Sequence, residues 1–318
     1  MQRRALLAFS LAAPWVAPRL ARPARAQGAA PLPVVASFSI LGDMVRQIGG
    51  DAVAAHVIAG PDVDAHSFQP RPSDAQALRG AGLLVRNGLG FDAWVDRLAR
   101  SAGYAGPVAT ATEGLTPRRL EGGHGHGHSH GHSHGHGGQA AADPHAWQDL
   151  RHGRHYAGVI AAALAAADPA RADLHRARGE AYQARLAALD AWVRGEIGRV
   201  PEARRRVVTS HDAFGYFAEA YGVRFLAPQG VSTDAEPSAA QVARLIRTLK
   251  AENITAVFLE NMANPATLRR LAAEAGITVQ GRLYADALSP PGGPAPSYEA
   301  MFRHNVGLLV PAMLGGAG

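Results

Sequence analysis

The stretch "DPARADLHRARGEAYQARLAALDAWVRGEIGRVP", residues 168–201, decides how the chain is divided. Asp168 and Pro169 are residues that favour an N-cap and a first helical position. Apolar residues then recur at spacings of three and four and form one stripe: Tyr182, Leu186, Leu189, Val193 and Ile197. We predict one helix, which at the usual rise would be on the order of 45–50 Å long. The alternative is two helices broken near Gly179 or Gly195.

Short apolar runs alternate with helical patterns on both sides of this segment. The predicted strands are 34–41, 55–60, 83–88 and 107–112 before it, and 205–210, 223–228, 256–261 and 277–284 after it. Strands separated by helices predict parallel sheets with helices on their faces. We therefore expect an α/β fold of two lobes, each a parallel sheet flanked by helices, joined by one long rigid helix. The predicted boundaries are 27–167, 168–201 and 202–318.

Residues 1–26 have the pattern of a cleaved export signal. A basic start is followed by an apolar run and then by Ala24-Arg25-Ala26, an A-x-A cleavage site. The Arg3-Arg4 pair is compatible with twin-arginine export, and the general secretory route stays open. We expect a periplasmic protein. Without the five Arg of this segment the formal net charge falls from +6 to +1, so the high pI does not imply a nucleic-acid partner, and we expect none.

A histidine-rich loop, residues 121–138, interrupts the first lobe. Its histidines occupy every second position: His124, His126, His128, His130, His132, His134 and His136. Only Gly and Ser lie between them, so the loop has no apolar face to bury and should not fold. Imidazole is a common metal ligand, and we interpret the loop as an auxiliary, low-affinity metal binder. The alternative is a purification tag or a neutral insert, although a tag normally lies at a terminus.

A selective site should lie in the folded part of the chain. The chain has no Cys, which excludes thiolate ligands and disulfides. Open parallel sheets bind ligands beyond the carboxyl ends of their strands. His66 and Asp286 follow predicted strands, His145 lies on the return from the histidine-rich loop, and His211 directly follows a strand. Three imidazoles and one carboxylate are a suitable tetrahedral set for Zn2+.

The remaining histidines of the folded region are assigned no metal. His56 lies within a predicted strand, and His304 lies in the C-terminal helix. His152, His155 and His175 are placed on polar helix surfaces.

Residues 33 to 315 resemble the metal-binding proteins of bacterial ABC importers for zinc and manganese. The motifs that carry the resemblance are "GPDVDAHSFQPRPSD", "DPHAWQD", "SHDAFGYFAEAYG", "EPSAAQ", "VFLENMANPATLRRLAAEAG" and "YADALS…YEAMFRHN", in this order. The resemblance implies that the metal ligands are His66, His145, His211 and Asp286. It also implies two lobes tied by a rigid helix, with the ion in the cleft between them.

The resemblance further implies zinc capture and delivery to a membrane ABC permease. Imidazole suits Zn2+, whereas a carboxylate-richer site suits Mn2+, so His211 and the histidine-rich loop favour zinc. A manganese-type importer protein and a zinc buffer without a transporter remain the alternatives. We expect a monomer, with Zn2+ as its transported ligand.

An enzyme is the main rival interpretation. His66, His145, the pair His211-Asp212 and Asp286 also match the H…HD…D order of a metal-dependent phosphohydrolase. That class places the HD pair on a helix, whereas here the pair follows a predicted strand. The sequence contains no HExxH motif. We therefore predict that the chain is not an enzyme.

Overall fold

The computed structural model describes residues 30–120 and 141–315 and contains two parallel four-stranded sheets. The first sheet contains β1 (Leu32–Phe38), β2 (Val53–Ala59), β3 (Leu83–Arg86) and β4 (Val108–Thr110) in the order β2-β1-β3-β4. The second contains β5 (Arg206–Val208), β6 (Arg224–Leu226), β7 (Val257–Glu260) and β8 (Val279–Leu283) in the order β6-β5-β7-β8. The predicted α/β class with two parallel sheets is confirmed. The export signal and the seven histidines of the loop lie outside the described residues.

Helices flank both sheets. They are α1 (Ser39–Gly49), α2 (Pro72–Arg79), α3 (Ala93–Ala102), α4 (Leu150–Ala167), α5 (Ala172–Gly198), α6 (Gly215–Tyr221), α7 (Ala239–Glu252), α8 (Pro265–Ala275) and α9 (Tyr298–Leu314). A search of the helices within the described ranges finds none with the length and apolarity needed to cross a membrane.

The long helix predicted between the lobes is present. A 3₁₀ turn, Pro169–Arg171, leads into α5, which runs without a break through both Gly179 and Gly195. All five residues of the predicted apolar stripe are buried. α5 packs against α4 and α9. At Gly179 the helices approach so closely that an added Cβ would lie 2.4 Å from the Cβ of Ala161 on α4.

One hydrophobic core continues from the first sheet through α5 to the second sheet. It includes Val34 and Leu84 of the first sheet, Leu186 of α5, and Val207 and Phe258 of the second. A smaller core lies between the second sheet and helices α7 and α8. Because the lobes share packed side chains, the fold favours small local shifts over wide domain motion.

Two predictions from the sequence are wrong in detail. The predicted strand 34–41 ends at Phe38, and α1 begins at Ser39. A short apolar run does not distinguish a buried strand from a buried helix, and here the run contains both. His175 is buried rather than on a polar surface, and its Nε2 lies 3.0 Å from Oδ2 of Asp168. This partner was not predicted, because Asp168 lies before the turn that precedes α5.

The close approach of α4 and α5 predicts opposite effects for one substitution at two glycines of α5. Gly195→Ala should raise the free energy of unfolding by about 0.5–1 kcal/mol, since Ala is the better helix former. Apart from its chain neighbours and the backbone of its own helix, no atom of the described residues lies within 4 Å of the added Cβ at Gly195. Gly179→Ala should lower the free energy by about 1–3 kcal/mol, because the helices must move apart. Urea unfolding of the metal-free protein measures both, and equal effects would contradict this packing.

Candidate metal centre

Four side chains meet where the carboxyl ends of strands from both sheets face each other. His66 lies in the loop after β2, and His145 directly precedes a 3₁₀ turn that leads into α4. His211 follows β5, and Asp286 follows β8. One ligand atom from each of the four residues lies within 4.8 Å of the others. The structure therefore brings together all four residues that were predicted from the sequence as metal ligands.

The spacing of these atoms suits a small dication. His66 Nε2 lies 3.2 Å from both His145 Nε2 and Asp286 Oδ2. His211 Nε2 lies 3.0 Å from Asp286 Oδ2, and His145 Nε2 lies 3.6 Å from Asp286 Oδ1. Ligands about 2.0–2.1 Å from a tetrahedral ion would be separated by about 3.3–3.4 Å. Three imidazoles and one carboxylate at these separations could hold a small divalent cation.

The cluster is almost sealed from solvent. The side chains of His145, His211 and Asp286 are 0% exposed, and that of His66 is 6% exposed. Asp286 Oδ1 is buried and has no hydrogen-bond partner within the described part of the chain. A buried carboxylate oxygen without a partner is costly, and a bound cation would satisfy it.

Two buried carboxylates fix the orientation of two imidazoles. Asp143 Oδ1 lies 2.8 Å from Nδ1 of His145. Glu260 binds Nδ1 of His211, and its Oε1 accepts the backbone N–H groups of Ser210 at 2.8 Å and His211 at 3.0 Å. With Nδ1 occupied, each ring presents Nε2 to the centre, as metal-binding histidines commonly do.

Asp143 and Glu260 were not among the predicted site residues. The signal for Asp143 was its position two residues before His145 in "DPHAWQD". Glu260 is the last residue of β7 in "VFLEN", so an acid at a strand exit was the available signal. Both residues reach the site because adjacent parallel strands end at the same edge.

The base of the histidine-rich loop connects to this site. The segments that enter and leave the loop are joined by an antiparallel bridge between Arg119 and Ala142. Arg118 Nη1 donates to Asp143 at 3.2 Å, and its Nε donates to Glu219 of α6 at 2.7 Å. Asp143 therefore joins the base of the loop to His145.

The charges within the cluster shift its pKa values. Burial alone would lower the pKa of His145, but Asp286 and Asp143 raise it to about 9. Burial likewise opposes protonation of His211, yet Glu260 and Asp286 hold its pKa well above the ordinary value. Burial favours protonation of Asp286, but His145 and His211 hold the pKa of that carboxyl well below its ordinary value. Near neutral pH the metal-free site therefore retains protons on two imidazoles.

Comparison with known proteins identifies relatives over nearly all of the folded chain. The family model described as "Zinc-uptake complex component A periplasmic" (ZnuA) matches residues 34–312. The manganese-binding lipoprotein MntA of Halalkalibacterium halodurans is 30% identical over 279 residues, which cover 88% of this chain and 87% of that protein. The iron-binding protein YfeA of Yersinia pestis is 29% identical, over 86% and 83% of the two chains.

Solved structures share the fold. The periplasmic zinc-binding protein TroA of Treponema pallidum has a TM-score of 0.80 at 27% identity, covering 90% of this chain and 99% of that one. A manganese-bound periplasmic metal-binding protein from Candidatus Liberibacter asiaticus has a TM-score of 0.75 at 26% identity, covering 88% and 98%.

The contact between Glu260 and His211 predicts a large effect from a single-atom change. Glu260→Gln replaces an acceptor with a weaker, partly donating group and should lower zinc affinity about 10- to 100-fold. Competition with a chromophoric chelator measures the affinity. Glu252→Gln is the matched control, since Glu252 pairs with Arg206 and Arg224 at the opposite end of the second sheet. Equal affinities of the two variants would contradict the orienting role.

The raised pKa values predict that metal binding expels protons. Below a pH of about 9 the free His145 is protonated, and the pKa of His211 is also well above its ordinary value, so affinity should rise with pH, about tenfold per pH unit for each proton displaced. His145 and His211 together should release about two protons near pH 7. Calorimetry in buffers of different ionisation enthalpy counts these protons. A binding constant that does not change between pH 6 and pH 8 would contradict the charge arrangement.

Proposed function

This chain belongs to the ZnuA family of periplasmic zinc-uptake components, and we propose that it captures Zn2+ between its lobes and delivers the ion to an ABC permease. Proteins of this family are metal-binding, substrate-binding components of ABC importers and not enzymes. The single observation that supports the proposal most strongly is the convergence of His66, His145, His211 and Asp286. Neither lobe contributes more than two of these groups, so the ion would hold both lobes together.

The nature of the cargo rests on the donor set. Three imidazoles and one carboxylate favour zinc over manganese, which prefers more oxygen ligands. Relatives carry manganese, iron and zinc in their names, so relationship alone does not select the ion. A manganese-type binding protein is the second candidate, and it is supported by the 30% identity to a manganese-binding lipoprotein.

Capture would proceed by exchange of protons for the cation. Zn2+ replaces the protons on His145 and His211, and the carboxylate of Asp286 offsets part of its charge. Because α5 and the shared core resist wide hinge motion, the proposed changes are confined to the loops that carry the ligands. Delivery would require a permease surface that contacts both lobes.

The setting we propose is the periplasm, with export directed by residues 1–26 and with a monomer as the active form. The histidine-rich loop would act as an auxiliary, weak zinc binder that raises the local concentration of the ion near the cleft. A zinc buffer without a transporter would bind the same ion at the same site. Zinc uptake by cells that carry this protein with and without its permease separates these two roles.

If the cleft holds one tight site and the histidine-rich loop holds weaker ones, deleting the loop should change the number of zinc ions bound. Deleting 121–138 should lower the number of zinc ions bound and leave one tight site, since the four cleft residues lie outside the deleted segment. Adding His211→Ala to the shortened chain should remove tight binding, because it takes one of four ligands. Calorimetric titration measures both.

Two results of this titration would contradict the proposal. Loss of the tight site on deletion of 121–138 would move the function to the histidine-rich loop. Retention of near-native affinity by His211→Ala, with a parallel test of His66→Ala, would refute the cleft assignment. Titration with Mn2+ in the same buffer compares the two candidate cargoes directly.

A further inference from the structure

His66, the least buried of the four candidate ligands, lies in the loop between β2 and α2. Its side chain is 6% exposed, whereas those of the other three are fully buried. The loop, residues 60–67, belongs to the first lobe and is anchored there by Trp94, whose Nε1 donates to the carbonyl oxygen of Ala65 at 2.8 Å. Several other polar contacts of this loop are made to the second lobe.

Three hydrogen bonds join this loop to the second lobe. The backbone N–H of Asp62 donates to the carbonyl oxygen of Leu288 at 3.0 Å. Asn261 Nδ2 donates to Asp62 Oδ1 at 2.8 Å. Thr233 Oγ1 donates to Asp64 Oδ2 at 2.7 Å. The other oxygen of Asp64 accepts the backbone N–H of His66 at 2.9 Å, so Thr233 is connected to the candidate ligand itself.

Each second-lobe partner lies beside a residue of the metal centre. Leu288 follows Asp286 by two positions. Asn261 directly follows Glu260, which binds His211. Thr233 lies on the segment after β6, in which Gln229 pairs with His211 through a parallel bridge. A movement of these segments would therefore affect both the loop contacts and the second-lobe ligands.

Asp62 lies in a turn of this loop that is closed by a hydrogen bond from the N–H of Val63 to the carbonyl oxygen of Gly60 at 3.3 Å. Its φ is +55°, in the left-handed region that residues other than Gly seldom adopt. Asp tolerates this region better than most residues, but the conformation still costs energy unless contacts maintain it. Besides the turn bond, Asp62 itself bonds to the second lobe, through its N–H to Leu288 and through Oδ1 to Asn261.

A polar cavity lies next to these contacts. Asp64, Thr233 and Ser210 contribute to the wall of a cavity of about 150 Å³. Ser210 precedes His211, and its Oγ is buried without a hydrogen-bond partner in the described chain. A cavity of this size and polarity has room for water. Opening the contact between Asp64 and Thr233 would connect this cavity to the loop that carries His66.

We propose that Asn261 and Thr233 are positioning residues that latch the His66 loop over the metal centre, and that opening this latch sets the rate of cargo release. The proposal rests on the proposed function, because it concerns the same site. The latch is defined by the pairs Asp62–Asn261 and Asp64–Thr233. It controls how fast the ion leaves, whereas the four candidate ligands determine which ion binds.

The test is the rate at which zinc-loaded protein loses its ion to an excess of chelator, measured by stopped flow. Asn261→Asp places a second carboxylate against Asp62 and should accelerate release at least about tenfold, since it replaces a hydrogen bond to a charged group with repulsion. Asp62→Asn added to Asn261→Asp exchanges donor and acceptor and should remove most of that acceleration. Thr233→Val should also accelerate release, because it removes the contact to Asp64.

Controls separate the latch from charge and from general destabilisation. Asn264→Asp adds the same charge three residues away, where Asn264 caps α8 and Asp caps equally well. It should release zinc at the native rate. Asn261→Asp also loses a contact of 3.2 Å to the carbonyl oxygen of Ala287, which the double variant does not restore. The difference between the single and double variants therefore reports the pair Asp62–Asn261 alone.

The outcomes of this test distinguish failure of the proposed latch from failure of the proposed function. In one outcome the native protein holds zinc tightly, and Asn261→Asp and Thr233→Val release it at the native rate. This result would overturn the proposed latch and leave the proposed function standing. Failure of Asp62→Asn to slow release from Asn261→Asp would also overturn it. Native protein that binds no zinc in the cleft would overturn the proposed function, and the latch with it.

Discussion

Three imidazoles and one carboxylate converge in a cleft that almost buries them, and each lobe supplies two of these four groups. Burial of such a cluster is unfavourable unless protons or a cation balance its charge. The two carboxylates behind His145 and His211 add further negative charge to the same region. The fold satisfies this constraint by ending strands of two sheets at one cleft, and by holding the lobes together through α5 and a common core. A dication in the cleft would complete the balance.

Sequence patterns were sufficient for the architecture because the periodicities are strong. The apolar stripe of α5 and the regular alternation of strands and helices predict two parallel sheets and a connecting helix. The four cleft residues were predictable because each lies in a loop at the end of a sheet, where such folds bind ligands. The exact end of β1 was not predictable, since the apolar run from Val34 to Leu41 spans both a strand and a helix. The inter-lobe boundaries remain a prediction.

The partners that refine the site could not be derived from the sequence. Asn261 and Asp62 are 199 positions apart, and Glu260 and His211 are 49 apart. Hydrogen bonds between such distant residues depend on how the loops are placed against each other. The hydrophobic periodicity of the sequence does not encode that placement. His175 shows the same limitation, because its burial follows from the packing of α4 against α5 rather than from the polar residues around it. The four candidate ligands were therefore predictable from the sequence, whereas the groups that orient them were not.

The central claim is that one dication is bound jointly by both lobes. Anomalous diffraction at the zinc absorption edge, on crystals of zinc-loaded protein lacking residues 121–138, tests it most directly. The account predicts one strong peak, about 2.0–2.2 Å from Nε2 of His66, His145 and His211 and from a carboxylate oxygen of Asp286. A peak bound by residues of one lobe alone, or zinc held only elsewhere on the molecule, would contradict it.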